Sequence, residues 1–243
     1  MSLFLILLAA GDSKRFKSST PKPYHLINNK SILEHSLSIF KDIKEIRQTV
    51  IVYNSKHKKY LSKLKIKNAI KIVGGKTRQE STYKALCKIR GMGCKKILIH
   101  DSARPNPSKK LIKNIIHKLK KNHAVLPIIK INDATKRASE NVIFKNIQRG
   151  SLRFAQTPQG FTYKKIYEKH KKSINMNFDD DSALFTNDEE KVIAINGSKT
   201  NLKITDNEDL KILMSLKKGK TYIGIGFDIH RLVKKRKLFL CTW

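Results

Sequence analysis

Short apolar runs alternate with segments of helical periodicity through most of the chain, and that rhythm predicts βαβ units built around a parallel sheet. The clearest strands are Leu3 to Leu8, Thr49 to Tyr53, Ala69 to Val73, Lys96 to His100 and His123 to Ile129. Two helix starts carry capping-box spacing, Ser31 with Glu34 and Thr77 with Glu80, in which the N-cap hydroxyl and the acid satisfy each other's backbone amides. A third helix is expected to begin at or just after Ser108, and a fourth at Asp206, where an acid precedes Leu210, Ile212 and Leu213. From about Ile131 to Ala155 the pattern changes to short polar-apolar alternation (Val142, Phe144, Ile147) with no helix, which predicts a β-hairpin excursion from the sheet. Strand-like alternation resumes at Lys191 to Ile195 and Leu202 to Ile204. A further strand-like run, Tyr222 to Phe227, follows a polar break at Lys217 to Lys220. The reading is a doubly wound α/β domain over residues 1–219, with a boundary near the break and a second unit beginning over 220–243.

Composition narrows the class. With 243 residues, 40% of them hydrophobic, the chain can bury an ordinary core. The longest apolar run, Leu3 to Ala10, is about half of the roughly 20 residues a membrane span needs, and no cation precedes it, so it is expected to be a buried strand in a cytoplasmic protein. Cys87, Cys94 and Cys241 have no C-x-x-C spacing, which argues for reduced structural thiols rather than a disulfide framework or a cysteine zinc site.

The formal net charge of +33 would by itself suggest a polyanionic partner. Lysine, however, supplies 42 of the 52 basic residues, arranged in pairs along the whole chain without interleaved stacking aromatics. That distribution argues against nucleic acid as the main partner and leaves a basic nucleic-acid-binding protein as the alternative from a different class.

In an open parallel sheet, ligands bind beyond the carboxyl ends of the strands. After the first strand comes Ala9-Ala10-Gly11-Asp12-Ser13-Lys14-Arg15 and then Pro21-Lys22-Pro23. Small residues there let backbone N–H groups approach phosphate oxygens, and Arg15 and Lys22 add positive charge. With one glycine it is neither a Walker loop nor a dinucleotide fingerprint, and a turn followed by surface cations explains it equally well. After the third strand comes Gly74-Gly75-Lys76-Thr77-Arg78, ahead of the helix that carries Ser81; this is either a nucleotide contact or a plain turn. After the fourth comes His100-Asp101-Ser102-Ala103-Arg104-Pro105, whose acid suits either Mg²⁺ or a helix cap. Three polar strand ends on one sheet edge point to a nucleotide site. His100 reads as a packed strand-end histidine rather than a proton shuttle.

The ordered segments LLAAGDSKRF, TPKPY, GGKTRQES, HDSARP, DATKR, AQTPQGF and NLKITDNEDL, spread over roughly Leu3 to Ser215, resemble the 2-C-methyl-D-erythritol 4-phosphate cytidylyltransferase family. The resemblance implies a Rossmann-like nucleotidyltransferase sheet with a protruding β-arm at about 131–155 through which homodimers form. Its reaction would join CTP and methylerythritol phosphate and release pyrophosphate with Mg²⁺ as cofactor. It further implies that Arg15 and Lys22 stabilise the transition state around the CTP phosphates and that Ala9, Ala10 and Gly11 form the nucleotide-binding turn. Gly75 and Ser81 would recognise cytosine. Asp101, with Arg104 beside it, would lie near Mg²⁺ and the substrate hydroxyls, and Arg149 and Lys203 would position methylerythritol phosphate. The chain departs from the family pattern at Ser13, where a second glycine is common, and at Ala134, where a hydroxyl residue is expected. A cytidylyltransferase for another polyol phosphate, such as ribitol 5-phosphate, is the alternative within the enzyme class.

The last segment, Gly224-Ile-Gly-Phe-Asp228-Ile-His230-Arg231, resembles the opening of the 2-C-methyl-D-erythritol 2,4-cyclodiphosphate synthase family, which in some bacteria is fused behind the cytidylyltransferase. Asp228 and His230 sit two apart and on a strand would face one side, as ligands of a zinc-type ion. The third ligand of that family has no counterpart before Trp243, so the expectation is a second enzyme cut short, an incomplete metal site and no synthase activity.

Overall fold

The computed structural model describes residues 2–217 apart from 17, 175, 177 and 186–190. The Tyr222–Phe227 run, Asp228, His230, Cys241 and the expected second unit lie outside the described residues.

The chain opens with β1 (Leu3–Ala9), buried along its whole length as a strand covered on both faces must be. A small ribbon of β2 (Leu26–Ile27) and β3 (Lys30–Ser31) leads into α1 (Ile32–Lys41), where the capping box forms in full: the Ser31 hydroxyl accepts from the Glu34 amide and the Glu34 carboxylate accepts from the Ser31 amide. Next come β4 (Ile46–Tyr53), a short α2 (Lys58–Ser62), β5 (Ala69–Val73) and α3 (Arg78–Lys88). The Thr77 box is only half made. Thr77 Oγ1 accepts from the Glu80 amide at 3.0 Å, but the Glu80 carboxylate turns to the Lys76 amide at 2.7 Å and so closes the preceding loop instead.

β6 (Lys96–Asp101) is followed by α4 (Lys109–Leu119), capped by Ser108 as its sequence predicts, and by β7 (Ala124–Lys130). A separate two-stranded ladder of β8 (Thr135–Ser139) and β9 (Val142–Ile147) then leaves the central sheet and forms the arm. β10 (Arg153–Ala155), at the end of the interval expected for the hairpin, pairs instead with β7 in the main sheet. β11 (Gln159–Thr162), α5 (Tyr163–Lys172), β12 (Val192–Asn196) and α6 (Asn207–Lys217) complete the described chain.

Strands β5, β4, β1 and β6 lie side by side and parallel; β11 then pairs antiparallel with β6 and with β7, which also pairs with β10 and β12. Alternation along β1 divides the core. Phe4, Ile6 and Leu8 pack with α3 and α5 on one face, whereas Leu3 and Leu5 pack with α1 and α4 on the other. Helices on both faces of a largely parallel sheet make this the expected Rossmann-like α/β class.

Leu202 to Ile204, expected as a strand, is an extended loop. The apolar alternation there reports which side chains face inward rather than a ladder: Ile204 is fully buried and its amide donates to the Ala103 carbonyl at 2.8 Å. A satellite core forms around Ile204 from Phe16, Ile27, Ile32, Leu210 and Leu213, which ties the loop after β1, the start of α1 and helix α6 together. Truncation of a fully buried Ile typically costs about 2–5 kcal/mol. Ile204→Ala should therefore destabilise the protein by an amount in that range in denaturant unfolding, with an unchanged slope.

Candidate active site

Beyond the carboxyl ends of β1, β5 and β6 lies an open cleft of about 620 Å³, lined by the turn after β1, the Gly74–Ser81 segment, Asp101 to Ala103, Lys22 and the Lys203 loop. The turn after β1 is held open by Asn54, whose amide group donates to the Ala10 carbonyl at 3.2 Å and to Asp12 Oδ1 at 2.8 Å. Ser13 sits at φ +57°, the left-handed region in which a side chain costs about 1–2 kcal/mol and which glycine adopts freely. A tight turn from Ser13 to Phe16 follows; Phe16 enters the satellite core, so Arg15 beside it is exposed on the cleft side. Lys22 stands between two prolines at the start of another tight turn, whose Tyr24 is buried and stacks on Tyr60 at 5.5 Å.

Gly74 and Gly75 are there because nothing larger fits. A Cβ on Gly74 would meet the Ala10 Cβ at 2.5 Å and Ser81 Oγ at 2.9 Å, and one on Gly75 would overlap the Glu80 side chain. The Ser81 hydroxyl accepts from the Gly75 amide at 3.0 Å and donates to the Thr77 carbonyl at 2.8 Å, which fixes the loop.

Asp101, at the end of β6, is the charge on which the cleft is centred. Lys203 Nζ lies 2.9 Å from Oδ2 and Arg78 Nε 3.4 Å from Oδ1. Burial alone would raise its pKa, but the charges of Arg78, Lys203 and Arg104 outweigh that effect and hold it well below the usual carboxylate range. Lys22 moves the other way. Burial, then the positive charges of Lys203 and Arg15, lower its pKa, and Asp101 and Asp209 only partly offset them. Ala9, Ala10, Gly11, Arg15, Lys22, Gly75, Ser81, Asp101 and Lys203 therefore line one cleft.

Arg104 and Arg149 do not line it. Arg104 turns its guanidinium to the carbonyls of Asn201 at 2.8 Å and Ala155 at 3.3 Å, so it braces the Lys203 loop against β10; its amide donates to the Asp101 carbonyl at 3.0 Å, and its charge acts on the Asp101 carboxylate through its field. Arg149 is exposed in the turn between β9 and β10 and donates to the Asn132 carbonyl. His100 is packed as its sequence suggests. It is buried, bonded to the Arg104 carbonyl and Thr157 Oγ1, and held neutral by burial with its pKa pulled down to about 4.

No group of three or more His, Cys, Asp or Glu side chains suited to a metal exists among the described residues. The donor chemistry at Asp101 nevertheless fits magnesium, which commonly takes one or two carboxylates and fills its remaining positions with water and substrate phosphates.

Sequence reasoning passed over Arg78, which lines the cleft and contacts both Asp101 and Asp181, at 2.7 Å from the latter. It stood in the quoted loop, but the signal for its role is the distant Asp181, which spacing does not reveal.

Comparison with known proteins gives one consistent answer. The family model described as "IspD: 2-C-methyl-D-erythritol 4-phosphate cytidylyltransferase" matches residues 3–215. A bifunctional enzyme IspD/IspF of Pelagibacter ubique is 44% identical over 241 residues, covering 99% of this chain but 63% of its own length. The chain thus spans less than two thirds of that relative. A 2-C-methyl-D-erythritol 4-phosphate cytidylyltransferase of Bacillus mycoides is 31% identical over 87% of this chain and 96% of its own. Among solved structures, 4-diphosphocytidyl-2C-methyl-D-erythritol synthase of Anaerococcus prevotii superposes with a TM-score of 0.73 at 29% identity, covering 88% of this chain and 97% of that one. The bifunctional IspDF of Campylobacter jejuni superposes with a TM-score of 0.77 at 29% identity, over 88% of this chain and 54% of that one. Fold, cleft and sequence agree, and the chain belongs to the 2-C-methyl-D-erythritol 4-phosphate cytidylyltransferase family.

Proposed function

We propose that the protein transfers CMP from CTP to 2-C-methyl-D-erythritol 4-phosphate and releases pyrophosphate. The observation that carries this reading is the convergence of Arg15, Lys22 and Lys203 with an ionised Asp101 on a cleft floored by the small-residue turn Ala9 to Gly11.

An oxygen of the sugar phosphate attacks the α-phosphorus of CTP in line, a new P–O bond forms, and the bond to the β-phosphate oxygen breaks with its electron pair leaving on pyrophosphate. Both reactants are anions, so the barrier is dominated by mutual repulsion and by charge growing on the leaving group. Arg15 and Lys22 oppose that charge at the triphosphate, and Lys203 holds the acceptor phosphate. The attacking phosphate is already deprotonated near neutrality, so no general base is needed and a neutral, buried His100 is compatible with the reaction. Asp101 together with the triphosphate would hold magnesium, whose charge when bound offsets that of the phosphates. The turn at Ala9 to Gly11 offers main-chain N–H groups to the nucleotide, and Gly75 with Ser81 would read cytosine.

The arm carries exposed Val142, Ile143 and Phe144, and Phe154 is exposed at its base; such apolar clustering supports a homodimer formed through the arm. Arg149 lies off its own chain's cleft and reaches an acceptor phosphate in this reading from the arm of a second copy. Residues 1–219 form the cytidylyltransferase unit, and we assign 220–243 to the start of a synthase-like unit. The alignment with a bifunctional relative over 99% of the chain supports that assignment. Water-soluble phosphorylated substrates support a cytoplasmic location, and no described helix is long and apolar enough to cross a membrane.

The direct test is pyrophosphate release from CTP with methylerythritol phosphate or ribitol 5-phosphate as acceptor. Turnover is expected with the first; turnover with ribitol phosphate alone would reassign the acceptor. Lys22→Ala should lower kcat by roughly a hundredfold or more, the scale of losing one preorganised charge contact, and near-normal turnover would contradict its role. Because neighbouring cations help depress Lys22, kcat/KM should fall on the alkaline side below the ordinary lysine value of 10.5. In Arg15→Gln that limb should move to higher pH, because removing a positive neighbour lets Lys22 keep its proton longer.

A further inference from the structure

Behind Arg78 stands a second carboxylate that does not line the cleft. Asp181 is 1% exposed. His170 Nε2 lies 3.0 Å from its Oδ1, and Arg78 Nη1 lies 2.7 Å from its Oδ2. Arg78 then reaches forward, Nε to Asp101 Oδ1 at 3.4 Å, and Asp101 meets Lys203 on its other oxygen. Four charged groups and a histidine form one line from α5 to the cleft.

An ion pair this deep is a poor way to gain stability, since the cost of desolvating both charges can match or exceed their attraction. Nor is it needed to dock its own segment. Ser173 and Phe178 are already attached to α3, by Gln79 Nε2 to the Ser173 carbonyl at 2.6 Å and by the Phe178 amide to Gln79 Oε1 at 3.2 Å. Phe185 is buried and stacks on Phe161 at 5.4 Å. Asp180 caps the turn over Asp181 to Phe185 by accepting from the Ser182 and Ala183 amides. What remains for the Asp181 carboxylate is Arg78. A guanidinium is a rigid plane, so the ion pair that holds Nη1 from behind restrains where Nε points in front.

We propose that Asp181, clamped by His170, is a positioning residue that aims Arg78 and through it fixes the Asp101 carboxylate in the cleft. The inference rests on the cytidylyltransferase reading for its assay and extends it to a residue that touches neither substrate. Without the rear grip, Arg78 can swing fully onto Asp101 or into the cleft, and either movement displaces the carboxylate from its shared position with Lys203.

The test is a double-mutant cycle on the full chain with Asp181→Asn, Arg78→Gln and the pair, read in kcat/KM for pyrophosphate release and in the Kd of CTP with magnesium by calorimetry. Asp181→Asn alone should lower kcat/KM about tenfold, a scale typical of coupled neighbours, and in the Arg78→Gln background it should cost less than twofold. Unfolding midpoints of the four proteins separate this from a structural role, which would give equal losses in both backgrounds in step with lost stability. His170→Gln keeps a donor toward Asp181 and is expected to retain more activity than His170→Leu, a rescue that guards against simple misfolding. Should the parent release no pyrophosphate with methylerythritol phosphate, the functional reading falls while the cycle is still scored in CTP affinity. Additive losses in both readouts would overturn the inference, whichever acceptor proves correct.

Discussion

Like charges gathered in a small space repel, and the cleft exists only because something holds them together. Two cations about 4 Å apart in surroundings of intermediate polarity repel by roughly 4 kcal/mol, which is comparable with the whole net stability of a domain. Arg15, Lys22, Arg78 and Lys203 all face one space. Two opposing features hold them there. Asp101 is kept ionised between Arg78 and Lys203, and the satellite core around Ile204 seats the Lys203 loop against Phe16 of the turn that carries Arg15. The same crowding lowers the pKa of Lys22, whose charge burial and like-charged neighbours disfavour.

This arrangement suits a reaction between two phosphate compounds better than one that needs a proton moved. Its histidine nearest the chemistry is neutral and bonded at both ring nitrogens, to the Arg104 carbonyl and to Thr157. Every cleft group with a clearly assignable task is a fixed charge, a small residue that lets main chain come close, or a hydroxyl that shapes a loop. Specificity and rate then depend on how firmly those charges are aimed, which is why groups behind the cleft matter to it.

Much of the fold was legible because its signals are local. The Ser31 and Glu34 box, the Ser108 cap and the apolar run of β1 each report on neighbours within a turn or a strand, and each forms as expected. Polar segments at the ends of β1, β5 and β6 pointed to the cleft because parallel topology brings such ends together. What escaped the sequence depends on distant partners. Leu202 to Ile204 looks like a strand because its apolar positions alternate, yet only the Ile204 amide finds a backbone partner, at Ala103. Glu80 leaves its box half made because its two oxygens are taken by the Lys76 amide and by Lys84. Arg153 to Ala155 reads as part of the arm until β7 claims it, and Arg78 reads as a loop cation until Asp181 appears behind it.

The satellite core has a consequence for biosynthesis. Its members come from both extremes of the described chain, Phe16 near one and Leu210 and Leu213 near the other. On the ribosome the central strands can pair while helix α6 is still inside the exit tunnel, but the loop bearing Lys203 lacks its Leu210 and Leu213 support until that helix emerges. A nascent chain at that stage is a nearly finished fold whose cleft lacks one wall, and the wall is seated only once α6 has emerged and packed.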